Sequence, residues 1–258
     1  GGPSVFSGGT GVEASGVGAI VSGGTSQAGG GGGGSESGNG VSGGSPTAPT
    51  FILEEETVWG TTASPKTTAS FDVVAGDILV AYSTNGEASG DDSFGISGGS
   101  LNWTRQVSII TNTYSEFAMW TATVDANKSM TVSFTNSQAN EFGGSVMVFR
   151  GASSVGAVNS TTNASGAPSL SLTTTQANSV IVVAVGDWNA VDGSSRTWRT
   201  GAGALTERSY NFVSGNYTGY SGYHANAGSV GAYTVGLSAP GAQKYSIGAI
   251  EIKGSSGT

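Results

Sequence analysis

An all-β fold, and within that class a jelly-roll-like β-sandwich, is predicted by three features of this 258-residue sequence. Charged residues make up only 10% of the chain, which leaves too few Glu, Lys and Arg side chains for the exposed faces of long helices. Val, Ile, Thr, Ser and aromatic residues are used instead, and these suit a pleated, half-buried surface. From Phe51 onward, short apolar runs alternate with Gly, Asn, Asp and Ser.

The first 48 residues differ from the rest, because they are of low complexity and include an unbroken glycine run at 29–34. Such a segment cannot bury enough apolar surface to offset its ordering entropy, which predicts a flexible linker or arm. The alternative is an attachment arm that becomes ordered against neighbouring subunits. Apolar residues that a pure linker does not need are the candidate assembly contacts for that alternative: Val5, Phe6, Val12, Val17, Ile20 and Val21.

The remainder, residues 49–258, is predicted to be the β-sandwich domain. Uninterrupted apolar runs at 78–82, 146–149 and 180–185 indicate strands buried on both faces. Alternating runs at 130–134 and 233–237 indicate strands with one buried face.

An internal repeat is predicted, because shifting the chain by about 103 residues aligns residues of similar character without a gap. The shift pairs Pro65 with Pro168, Trp120 with Tyr223, and Phe149-Arg150-Gly151 with Ile252-Lys253-Gly254. The pseudo-repeats are 49–151 and 152–254. Two arrangements follow, a single sandwich whose sheets take strands from both halves or two small sandwiches in tandem. No Pro/Gly-rich linker marks the join, so we expect the single, pseudo-symmetric sandwich.

Several classes of function are disfavoured by composition. The nine Lys and Arg residues are spread along the chain and form no basic stripe, so nucleic acid is not an expected partner. No apolar run approaches the length needed to cross a bilayer, so membrane insertion is not expected. A metal site built from histidine and cysteine is excluded, because the chain has one histidine and no cysteine. That histidine, His224, is interpreted as an ordinary strand or rim residue, and no catalytic residue is assigned.

Acidic residues give two candidate chemistries. Glycoside hydrolysis needs two carboxylates across a cleft, and of Glu54, Glu55 and Glu56 at most two can share a strand face. The simpler interpretation is a solvated edge that blocks aggregation. Asp91 and Asp92, in a Gly-rich loop, are the candidate metal ligands, with Ca²⁺ as the ion. Asp187 and Asp192 are loop acids of the same kind, and turn formation explains all four equally well. No other cofactor is expected.

Aromatic and arginine side chains are the candidate ligand-binding groups, because Trp and Tyr stack on sugar rings. Tyr217 and Tyr223 are predicted to share one strand face, with Tyr220 on the other. A Gly/Ser-containing segment from 187 to 203 combines tryptophan with arginine, and loops of this kind carry recognition. The alternative is that these tryptophans fold back over the end of the sandwich. The candidate ligand-binding residues are Trp188, Trp198, Arg196, Arg199, Tyr217 and Tyr223.

Three short motifs resemble a domain of tailed-bacteriophage virion proteins. Residues 74–81 (VAGDILVA) are similar to its "GDLLV" strand, residues 101–104 (LNWT) to its "GWT" turn, and residues 147–151 (MVFRG) to a strand ending "YRG". Asn102 stands where the family usually has Gly, and Phe149 where it has Tyr. The second half keeps the strands but has Thr206-Glu207 in place of Trp-Thr.

The resemblance, together with the Gly-rich arm, implies a non-enzymatic virion protein of the minor tail, head decoration or fibre type. Its expected partners are other virion proteins and copies of itself, with surface glycans as a further ligand class. Its expected location is the virion surface, outside the cell. The rival hypothesis is a secreted bacterial carbohydrate-binding module or adhesin, which predicts glycan binding by the isolated domain.

Overall fold

The computed structural model describes residues 44–86, 93–111 and 113–256. These ranges contain β-strands and no α-helix, which confirms the all-β prediction. In this part of the chain, accordingly, no helix has the length and apolarity that a bilayer crossing requires. Asp91, Asp92 and the six candidate assembly contacts of the arm lie outside the described residues.

The first half forms what we call the N-sandwich. Its larger sheet, inner sheet 1, has the strand order β1-β10-β4-β7-β6, and it is covered by a small sheet, β2-β9-β5, and by the pair β3-β8. The strands are β1 (Thr50–Glu56), β2 (Lys66–Thr67), β3 (Phe71–Val73), β4 (Ile78–Asn85), β5 (Phe94–Gly98), β6 (Thr104–Ile109), β7 (Phe117–Thr123), β8 (Lys128–Met130), β9 (Val132–Asn136) and β10 (Phe142–Arg150).

The second half forms the C-sandwich. Inner sheet 2 has the order β11-β18-β13-β16-β15, and outer sheet 2, which covers it, has the order β12-β17-β14. The strands are β11 (Ala152–Asn163), β12 (Ser169–Thr173), β13 (Val180–Asp187), β14 (Thr197–Trp198), β15 (Leu205–Val213), β16 (Tyr217–His224), β17 (Ala232–Ala239) and β18 (Tyr245–Gly254). All pairings among the named strands are antiparallel.

The expectation of a single sandwich with mixed sheets is wrong, because each sheet takes its strands from one half only. The two halves nevertheless have the same topology: a shift of about 103 residues converts the strand order of inner sheet 1 into that of inner sheet 2. A sequence shift preserves strand order whether or not the halves exchange strands, so it could not separate the two arrangements. The origin of the repeat by duplication remains a prediction.

The two sandwiches pack face to face through their inner sheets, which produces four layers and three apolar cores. One core fills each sandwich, and the middle core joins the sheets through side chains such as Val80, Met147, Val182 and Ile250. Strands β4, β10 and β13 are covered on both faces, so their successive residues enter different cores. This confirms the buried strands that the three apolar runs predicted.

Three motif residues of the resemblance, Asp77, Trp103 and Arg150, are explained by packing. Asp77 is fully buried, and its carboxylate accepts hydrogen bonds from Arg150 Nε and Nη2 at 2.9 and 2.8 Å and from the Val74 amide at 2.9 Å. Trp103 packs on the core of the N-sandwich and donates a hydrogen bond from Nε1 to the Gly98 carbonyl at 3.3 Å. These residues therefore stabilise the N-sandwich, and they form no part of an exposed site.

Candidate functional site

The domain has two different ends. At the end that we call proximal, the chain enters β1 and leaves β18: the Thr47 amide donates to the Ser255 carbonyl at 3.1 Å, and Asn178 Nδ2 donates to the Pro46 carbonyl at 2.9 Å. Pro46 and Thr47, which the sequence assigned to the arm, thus contact the C-sandwich. Residues 1–43 precede this point in the chain.

At the opposite, distal end, loops of both halves meet. Asn216 Nδ2 donates to Glu141 Oε2 at 2.9 Å, and Ser246 Oγ donates to the Ser115 carbonyl at 2.9 Å. These bonds join the loops that follow β9 and β6 in the N-sandwich to elements of the C-sandwich. The distal end is therefore a single composite surface that is connected across the two sandwiches.

Trp188, a predicted binding residue, lies at the distal end. The ammonium of Lys244 lies 3.8 Å from the centre of the Trp188 ring and 5.6 Å from that of Tyr114, a residue of the other half. The Trp188 amide also donates to the Lys244 carbonyl at 2.8 Å. The tryptophan is thus half-buried in a cation–π contact within the protein, which supports the interpretation that it covers the end of the sandwich.

Arg196 and Trp198 are held by Glu207 of β15. Arg196 forms a bidentate ion pair with the Glu207 carboxylate, and Trp198 Nε1 donates to Glu207 Oε2 at 2.6 Å. Burial acts to raise the pKa of Glu207, but the hydrogen bonds from Arg196 and Trp198 outweigh it and leave that pKa below its ordinary value. The Arg196 guanidinium also stacks 3.9 Å from the centre of the Tyr210 ring. Arg196 is therefore fully engaged within the protein.

Trp198 and Arg199 line an open cavity of about 500 Å³ on the surface of outer sheet 2. Hydroxyl side chains supply most of the remaining lining, namely Thr197, Thr200, Thr234 and Ser238, together with Gly201. All four hydroxyl residues are exposed. Of the six predicted ligand-binding residues, these two are the pair that the structure brings together at a cavity.

Tyr217 and Tyr223 are not available as a binding platform. Tyr217 is fully buried against Trp59, and Tyr223 stacks on Phe51 with ring centres 4.8 Å apart in the middle core. Tyr220 faces the core of the C-sandwich, so the predicted distribution over two strand faces is correct. The strand is covered on both sides, which removes both tyrosines from the candidate site.

Glu54 and Glu56 share a face of β1, as the alternation allows, but that face is turned toward inner sheet 2. The Glu54 side chain is only 4% exposed, lies 3.4 Å from Arg208 Nε and accepts hydrogen bonds from Ser145 and Ser221. Burial raises the pKa of Glu54 to about 7. The interpretation of a solvated acidic edge is therefore wrong for Glu54, because its carboxylate is almost completely shielded from solvent.

The two loop acids Asp187 and Asp192 and the histidine serve local structure. Asp187 accepts the backbone amides of Asn189, Val191 and Lys244 at 2.8–3.0 Å, which is turn formation. Asp192 accepts the Tyr210 hydroxyl at 2.7 Å. His224 is buried in β16 with Nδ1 2.9 Å from the Gly203 carbonyl. Within the described ranges, no three acidic or histidine side chains form a group that could hold a metal ion.

A second cavity, of about 390 Å³, lies beside the edge strand β6 and its neighbour β7 and reaches Val155 of the C-sandwich. Asn102, Gln106 and Thr121 supply polar groups to it, with Asp125 as the one carboxylate of the lining. Gln106 Nε2 already donates to Thr121 Oγ1 at 2.8 Å. Its polar groups therefore satisfy one another in part, and a paired-carboxylate chemistry is not available to it.

Sequence reasoning missed several residues of these surfaces. Thr234 and Ser238 lie on the exposed face of β17, and the alternation of polar and apolar residues in that strand carried enough signal to find them. Lys244 and Tyr114 come from different halves, and nothing in the sequence indicates that they meet. Glu207 aligns with Thr104 of the Trp-Thr motif under the shift of 103 residues. That difference between the halves could have indicated a role for Glu207 in the second half only.

Comparison with protein-family models, with curated proteins and with solved structures found no match for this chain. The class that the fold itself defines is an all-β protein with two tandem sandwiches that share one central core.

Proposed function

We propose that this chain is a non-enzymatic display protein of a bacteriophage virion, attached through residues 1–43 and presenting the two-sandwich domain outward. The observation that carries the proposal is the polarity of the domain. Entry and exit of the chain lie together at the proximal end, and loops from both halves are linked at the distal end. This arrangement is expected of a domain that is anchored at one end and contacts a ligand at the other.

The assignment to a virion is supported by the three motifs that resemble phage virion proteins and by the Gly-rich segment that precedes the domain. A non-enzymatic role is supported by the chemistry of the described acids. Glu54 is covered by inner sheet 2, Glu207 is held by Arg196 and Trp198, and neither of the two cavities is lined by a pair of carboxylates. General acid–base chemistry requires groups that reach a substrate.

Removal of residues 1–43 is expected to leave a folded domain that no longer enters particles. The cut leaves Pro46 and Thr47 in place, so the proximal contacts and all three cores are retained. Thermal unfolding followed by circular dichroism checks the fold, and immunodetection in purified phage particles checks incorporation. We expect an unchanged melting temperature within a few degrees and at least a tenfold loss of incorporation.

A matched control is Trp188→Ala, which alters the distal end and leaves the arm intact. We expect this variant to enter particles like the unaltered chain. Full incorporation of the truncated chain would remove the role of the arm, and absence of the unaltered chain from particles would remove the virion assignment itself.

A further inference from the structure

The cavity of Trp198 and Arg199 has a charge that no described residue neutralises. Arg150 pairs with Asp77, Arg196 with Glu207, and Arg208 with Glu54. The Arg199 side chain makes no hydrogen bond or ion pair with the described residues, and its Nε is buried without an acceptor. A guanidinium offers a planar fork of donors that fits a carboxylate, so this side chain lacks the partner for which its shape is suited.

The fold does not require an arginine at this position. In the N-sandwich, Ile96 lies opposite Phe134 of β9, as Trp198 lies opposite Leu237 of β17. The residue after Ile96 is Ser97, an exposed serine, where the C-sandwich has Arg199. The same architecture is therefore built elsewhere in this chain with a small, uncharged side chain. Arg199 is an addition to the scaffold.

The other groups of the cavity fit a sugar. Trp198 forms one wall of the cavity, and it is fixed in place because it lies opposite Leu237, packs against the core of the C-sandwich and donates from Nε1 to Glu207. The hydroxyls of Thr200, Thr234 and Ser238 can donate to and accept from sugar hydroxyls. Three hydroxyls beside one guanidinium, in a volume of about 500 Å³, are within the range of small-molecule sites.

We propose that this cavity binds a carboxylated saccharide, with the sugar hydroxyls on Thr200, Thr234 and Ser238 and the carboxylate on Arg199. The chain has a formal net charge of −8, so its overall field repels anions, and binding depends on the local pairing with Arg199. The inference deepens the proposed display role, because it names the ligand class of the displayed domain. Its measurement on the purified chain is independent of incorporation into particles.

The test is a titration of the full chain with trigalacturonate and with 3′-sialyllactose, followed by isothermal calorimetry. Methyl-esterified trigalacturonate and lactose are the neutral counterparts. We expect binding of at least one acidic sugar and an affinity for its neutral counterpart that is about tenfold to a hundredfold weaker, because a charge-assisted, two-pronged pair is lost.

Arg199→Ser copies the residue of the N-sandwich, so we expect this variant to fold with an unchanged melting temperature. It should lose the preference for the acidic sugar by about tenfold or more, while Arg199→Lys, which keeps the charge without the fork, should lose less. Lys253→Gln removes one positive charge outside the cavity and should bind like the unaltered chain.

Two outcomes would overturn the inference: no binding of either acidic sugar at about 10 mM ligand, which is roughly tenfold above a Kd of 1 mM, or equal affinities of the unaltered chain and Arg199→Ser. Failure of incorporation with intact sugar binding would overturn the virion role alone. Incorporation without sugar binding would overturn the sugar site alone.

Discussion

Arg150→Ala is expected to lower the free energy of unfolding by about 3 kcal/mol, which is the low end of the range for a broken buried ion pair. The substitution leaves the fully buried Asp77 carboxylate with the Val74 amide as its remaining donor among the contacts described. The low end applies because Arg150 itself is 44% exposed, so water can approach the stranded carboxylate. Urea unfolding followed by circular dichroism measures the loss.

The repeat supplies the control for this experiment. Lys253 occupies the position 103 residues after Arg150, and Val180 the position 103 after Asp77, so the C-sandwich has no such pair. Lys253→Ala should cost less than roughly 0.5 kcal/mol. The double substitution Asp77→Val with Arg150→Lys copies the second half. It should recover much of the loss because it leaves no buried charge without a partner. Equal effects of Arg150→Ala and Lys253→Ala would contradict the assignment of Asp77 and Arg150 as a stabilising pair.

The buried strands could be predicted because each depends on a local pattern of apolar residues. The apolar runs at 78–82 and 180–185 are long enough for a strand covered on both faces, and the shift of 103 residues placed them at equivalent positions in the two halves. The pairing of sheets could not be predicted, since a doubly covered strand gives the same pattern whichever sheet lies on each side. The expectation of mixed sheets failed for that reason.

Some evidence for the packing of the halves was present in the glycines. Trp59 lies against Gly143 and Gly219, where an added Cβ atom would approach the indole to 2.0 and 3.0 Å. A glycine in each inner sheet thus makes room for one tryptophan of the β1–β2 loop. Sequence alone shows glycines within strand-like runs, which indicates close approach of some group but does not identify it.

The candidate site was predicted in part, since composition marks groups able to bind but gives no information on partners. Trp198 and Arg199 were selected together, and they do line one cavity. Arg196, three residues before Arg199, is paired with Glu207, and that pairing needs the β14–β15 geometry. Tyr217 and Tyr223 are buried by Trp59 and Phe51 of the N-sandwich, and the sequence does not indicate that contact either. The sequence thus identified side chains whose chemistry suits ligand binding, but it did not show which of them the fold leaves free to contact a ligand.

Between pH 4.5 and 7 the stability of this protein is expected to fall as pH rises, through Glu54. Burial raises the pKa of Glu54 to about 7 from an ordinary value of 4.5, so in this window the folded state binds a proton that the unfolded state has released. Stability falls wherever the folded state holds more protons than the unfolded state. A pKa difference of this size corresponds to a loss of about 3 kcal/mol in the free energy of unfolding. The loss is complete once the pH exceeds the pKa of Glu54 in the folded state.

The groups that face Glu54 come from every strand packed around it. Glu56 lies on the same strand, Ser145 on β10, Arg208 on β15 and Ser221 on β16, and Tyr82 of β4 joins the network through Ser209 at 2.7 Å. Arg208 and the serines favour the ionised form, but the loss of water outweighs them. The equivalent strands β6 and β11 also contact each other, and there they contribute the apolar residues Val107, Ile109, Val155 and Val158 to the middle core, so the fold does not need a carboxylate here.

Glu54→Gln keeps the shape of the neutral acid and removes its titration. At pH 8 this variant should therefore be more stable than the unaltered chain by about 3 kcal/mol, and at pH 4 the two should be nearly equal. Urea unfolding across this range measures the difference. Glu55→Gln, on the opposite face of β1, is the matched control. A difference between Glu54→Gln and the unaltered chain that stays constant from pH 4 to pH 8 would contradict the prediction, because it would show that Glu54 has the same pKa in the folded and unfolded states.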